Sequence, residues 1–192
     1  MSQERLLYIE NSSKEKLYYR FTPTLISSNF IPLIVILQDV DEELRLNFEY
    51  KMWNVLTPLY DKKAPKEDLL KELIEKILQE CEVEEHLYIC GDSSMSYETM
   101  YYGTQCHANA IYIEASQPVL QKSLLATLEK GAGEFPDFYL CVDDKISKSE
   151  KEQLEEMSQK KGMKINLDFC PKAYKNEEEK IKKVLDMLEK FS

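Results

Sequence analysis

The chain has 192 residues and carries 25 Lys and Arg against 35 Asp and Glu, a formal net charge of −10. That length suits a single domain spanning 1–192, able to bury about 70% of its unfolded surface. The acidic balance argues against a nucleic-acid partner and against docking on an anionic membrane.

Arg5–Glu10 and Lys16–Phe21 are short runs of aliphatic and aromatic residues separated by Asn11-Ser12-Ser13, which predicts a β-hairpin. Pro32–Leu37 is a continuous apolar run, as expected of a strand buried on both faces. Tyr50–Val55 reads as a weaker strand ending near Pro58. The period then changes. Lys66–Glu80 places Leu69, Leu70, Leu73, Ile74, Ile77 and Leu78 on one stripe, with charges opposite, which predicts a helix. His86–Cys90 is a strand ending at Gly91, followed by a helix over Ser94–Tyr102. Strands over Asn109–Glu114, Asp137–Val142 and Lys164–Phe169 alternate with helices over Gln117–Lys130 and from Ser147 to about Lys161. Ser147-Lys148-Ser149-Glu150 forms a capping box, and Gly162 supplies a stop. Asn176 caps a last helix with Ile181, Val184, Leu185 and Leu188 on its apolar face.

This order, β-β-β-β-α-β-α-β-α-β-α-β-α, predicts an α/β fold with a mostly parallel sheet and an antiparallel N-terminal hairpin. No apolar run reaches the ~18 residues of a membrane-spanning helix, so no membrane insertion is expected. The N-terminus has no charged-then-apolar signal pattern. Five cysteines, an odd number with no Cys-x-x-Cys pair, fit reduced thiols in a cytoplasmic protein better than disulfides or a zinc site. Neither a metal nor a cofactor is expected.

Ligands of such sheets gather beyond the C-terminal ends of the strands. There, Gly91-Asp92-Ser93-Ser94-Met95-Ser96 joins a strand to a helix. A Gly followed two residues later by a Ser matches the frame of a nucleophile elbow, G-x-S-x-G, with Met95 in place of the last Gly. Such a turn would lift the Ser93 hydroxyl above the sheet, and the Ser94 N–H at the helix start would meet a developing oxyanion. The bland alternative is a turn in which Asp92, Ser93 or Ser94 caps the helix.

The segment from Gly91 to Gly103 resembles G-x-S-M-G-G-Y-x-A-L-Y-Y-G of the XcbB/CpsF capsular polysaccharide biosynthesis family, and of the related accessory secretory-system protein that modifies exported glycoproteins. Gly91, Ser93, Tyr97, Tyr101, Tyr102 and Gly103 carry the match. Ala108–Ile111 and Phe48–Leu56 resemble neighbouring segments of that family. The resemblance implies a three-layer α/β-hydrolase-like domain without a cap, working in surface-glycan or capsule biosynthesis or in glycoprotein export. Gly91-Asp92-Ser93 is also similar to the GDS block of SGNH lipases, but that block follows the first strand and needs a DxxH partner, and neither condition is met.

A hydrolase triad runs Ser, then Asp or Glu, then His. Asp143 or Asp144, after the strand Asp137–Val142, takes the acid position. The loop after the last strand, where His belongs, is Cys170-Pro171-Lys172-Ala173-Tyr174-Lys175 and has none. His86 lies a strand away from Ser93, about 20 Å at roughly 3.3 Å per residue. His107 lies a helix away, about 20 Å at roughly 1.5 Å per residue. Gln38-Asp39 follows the buried strand Pro32–Leu37, and a carboxylate there opposes an oxyanion. A desolvated Lys145, Lys172 or Lys175 would be the substitute base, against the ordinary reading of a solvated surface lysine.

Three readings follow. The first is a catalytically degenerate hydrolase scaffold that binds a protein partner or a glycan-related small molecule. The second is a serine esterase or acyltransferase using Ser93 with Lys172 or Lys175 as base. The third is a site completed in an oligomer by a neighbour's histidine. Tyr97, Tyr101 and Tyr102 read either as helix packing or as an aromatic rim, Cys90 and Cys141 as small core residues, and Cys170 as a strand-end thiol.

Overall fold

The computed structural model describes residues 6–25, 30–37, 42–59, 67–83, 86–115, 117–130, 135–143 and 148–170. They fall in two compact units, Met1–Leu87 and Tyr88–Ser192.

The first unit opens with the expected hairpin, β1 (Leu7–Glu10) against β2 (Lys16–Thr22), with Tyr8 opposite Tyr18. The turn forms because the Asn11 side-chain oxygen accepts the N–H groups of Ser13 and Glu15, both at 3.0 Å. The buried strand β3 (Leu33–Ile36) pairs in parallel with β4 (Asn54–Pro58), and β4 pairs antiparallel with β2, so the order in this unit is β1-β2-β4-β3. One expectation is corrected here. Tyr50–Val55 is not a strand: α1 (Glu42–Tyr50) ends at Tyr50, a turn with Met52 at φ 60° follows, and the strand begins at Asn54. The element order is therefore β-β-β-α-β onward. Helix α1 forms because Arg45 and Phe48 face inward, Leu46 and Tyr50 face out, and Arg45 pairs with Glu49 at 2.7 Å one turn on. Phe48 is fully buried and stacks on Trp53 with ring centroids 5.3 Å apart. The amphipathic α2 (Glu67–Glu80) buries Leu69, Leu70, Leu73, Ile74 and Ile77 of its predicted stripe and leaves Leu78 half-buried.

The second unit is four parallel strands in the order β5-β6-β7-β8: β5 (Leu87–Asp92), β6 (Ala110–Glu114), β7 (Asp137–Asp143) and β8 (Ile165–Cys170). Helices α3 (Ser96–Gln105), α4 (Gln117–Lys130) and α5 (Lys148–Lys161) make the crossovers. Right-handed crossovers between strands laid down in one direction put all three helices on one face. Helix α3 starts two residues later than Ser94 and runs past Tyr102. Gly162, at φ 68°, stops α5 as expected. The expected last helix, with Asn176 and its apolar face, lies outside the described residues, as do Gln38, Asp39, Asp144, Lys145, Lys172 and Lys175. Among the described residues no helix is long and apolar enough to cross a membrane.

Candidate functional site

Strand β5 is buried along its length and ends at the half-buried Asp92, so Ser93 emerges at the C-terminal end of the parallel sheet, in the turn before α3. Ser93 and Ser94 are exposed, while Met95 and Ser96 turn inward. The Asp92 carboxylate accepts the Ser94 N–H at 2.7 Å and the Met95 N–H at 3.2 Å. The Asp92 carboxylate thus closes the turn that precedes α3; the residue at the helix N-cap is Met95, and no side chain, including the three expected candidates Asp92, Ser93 and Ser94, makes a cap hydrogen bond there.

The backbone agrees. A nucleophile elbow is a sharp, strained turn. Among the described non-glycine residues, a positive φ occurs at Lys14, Met52, Glu82 and His107, and Ser93 is not among them. The Asp92 carboxylate holds Ser93 in an unstrained turn. Asp92→Ala removes two turn hydrogen bonds and should cost about 1 kcal/mol, seen as a melting temperature lower by about 2–4 °C; Asp92→Asn, which keeps an acceptor oxygen, should lose less.

Behind the turn, Ser96 stands where the resembled motif has Gly. Its hydroxyl donates to the Ser93 carbonyl at 3.4 Å and meets the Ser123 hydroxyl of α4 at 2.8 Å, with both serines buried. This pair was not foreseen. A lone serine on each of two helices has no sequence signature until the helices pack. Thr99 closes the same corner, its hydroxyl donating to the Met95 carbonyl at 2.8 Å. Along α3, Tyr97 and Tyr101 stack at 5.7 Å and Tyr101 meets Tyr102 edge-on at 5.3 Å. Tyr102 is buried, and Tyr97 and Tyr101 are half-buried.

The other candidates fall as follows. Asp92 lies in register with Glu114 on β6, and Asp143 closes β7 beyond it, so three neighbouring strands end in acids. With strands about 4.8 Å apart, β7 lies roughly 10 Å from β5. An imidazole would have to bridge that gap. His86 precedes β5, at the end of the strand opposite Ser93, and its carbonyl accepts the Leu33 N–H at 2.9 Å. His107 follows α3, a ten-residue helix about 15 Å long. Cys90 is fully buried in β5, and burial pushes its thiol up to about 12. It is a core residue with no thiolate to offer near neutral pH. Among the described residues no group of three His, Cys, Asp or Glu is placed to hold a metal ion.

No protein-family model and no curated protein sequence matches the chain. Solved structures do. One is a glycosylation-associated protein complex from Streptococcus agalactiae, with 13% identity and a TM-score of 0.65 over 94% of this chain. This chain spans 46% of that one's length, less than half. A hormone-sensitive lipase from a metagenome library aligns over all of this chain and 87% of its own, at 10% identity and a TM-score of 0.65. A fluorophosphonate-binding serine hydrolase of Staphylococcus aureus aligns over 96% of this chain and 97% of its own, at 10% identity and a TM-score of 0.63. These alignments, together with the mostly parallel strands and the antiparallel N-terminal hairpin, give the chain the α/β-hydrolase fold.

Proposed function

We propose that this chain is a catalytically degenerate α/β-hydrolase-like domain, spanning 1–192, that acts in the cytoplasm as a binding or accessory protein. The single observation that carries the reading is the turn at Ser93. The Ser94 and Met95 N–H groups that follow Ser93 are occupied by the Asp92 carboxylate, and the backbone at Ser93 lacks the strain of an elbow. A Ser94 N–H already bonded to a carboxylate 2.7 Å away is not free for an oxyanion. Neither histidine stands at Ser93, and a serine without a base is a weak nucleophile. The resemblance of Gly91–Gly103 to the XcbB/CpsF family supports a setting in surface-glycan or capsule biosynthesis or glycoprotein export. The likeness to a protein described as a glycosylation-associated complex supports a protein partner or a glycan-related ligand.

A second reading is favoured by the exposure of Ser93 and by the nearly full-length likeness to a fluorophosphonate-binding serine hydrolase. It is a serine esterase or acyltransferase with Ser93 as nucleophile, Asp143 as acid, the Ser94 N–H at the oxyanion and Lys172 or Lys175 as base. It requires Asp92 to release the Ser94 N–H.

Intact-mass labelling with a fluorophosphonate probe separates the two. The degenerate scaffold predicts no adduct on the native chain or on Ser93→Ala, with the two proteins equal in stability to within about 0.5 kcal/mol. Stoichiometric labelling abolished by Ser93→Ala would establish the enzyme.

A further inference from the structure

We draw no further inference here: the strongest candidate, the surface patch of Tyr8, Tyr18 and Leu59 exposed side by side on one face of the β1-β2-β4 sheet, carries nothing because nothing in the structure shows what covers it.

Discussion

Gly91→Ala is expected to destabilise the protein by about 3 kcal/mol, lowering the melting temperature by roughly 6–12 °C for a chain of this size. Gly91 sits near the end of β5, where α3 crosses back over the strand. A Cβ there would lie 1.9 Å from the Thr99 hydroxyl oxygen and 3.1 Å from the Thr99 Cβ. Thr99 has nowhere to go. It is fully buried, and its hydroxyl is committed to the Met95 carbonyl. The clash must therefore be relieved by moving the helix that carries the Ser93 turn. Thr99→Ala removes the closest atom, so the double variant Gly91→Ala, Thr99→Ala should melt higher than Gly91→Ala alone. That coupling is a double-mutant cycle read by thermal denaturation. A Gly91→Ala protein melting within about 1 °C of the native chain would mean that α3 yields at no cost, contrary to close packing in a protein interior.

Phe48→Ala should cost more, about 3–5 kcal/mol. Phe48 anchors α1 to its unit, fully buried and stacked at 27° on Trp53. The chain has one tryptophan, so the change has its own optical signal. Tryptophan emission should shift to longer wavelength in the variant before any global unfolding, because Trp53, 8% exposed in the native structure, loses the ring that shields it. Tyr50→Ala on the outward side of the same helix is the control, expected to change stability by no more than about 0.5 kcal/mol. Equal effects at the two positions would contradict the assignment of Phe48 inward and Tyr50 outward.

Most of the architecture was legible because each element satisfies its own local rule. The continuous apolar run at Leu33–Ile36, the paired stripe of α2, Asn11 at the hairpin turn and Gly162 after α5 all state their structure in residues a few positions apart. The α1 segment did not. Leu44, Leu46, Phe48 and Tyr50 alternate, the pattern of a half-buried strand. The helix forms because Phe48 packs on Trp53 beyond the helix end, a contact that overrides the alternating pattern, while the Arg45–Glu49 pair one turn apart supports it locally.

The site divides in the same way. The position of Ser93, after a buried parallel strand and before a helix, follows from the sequence, because periodicity and one glycine fix the strand end. Whether that turn is a strained elbow or a relaxed turn closed by the Asp92 carboxylate does not, since Gly-Asp-Ser-Ser is compatible with both. The three-dimensional structure decided it through the Asp92 carboxylate. That group reaches the Ser94 and Met95 N–H groups only when the chain adopts the ordinary turn, and the two charge-assisted bonds favour that turn over a backbone costing of order 1–3 kcal/mol in strain. The sequence by itself determined the α/β alternation from β5 onward and the place of the serine; that Glu42–Tyr50 is a helix with Phe48 on Trp53, and that the turn at Ser93 is relaxed, were decided in the folded structure, because the local patterns at both places are compatible with more than one conformation.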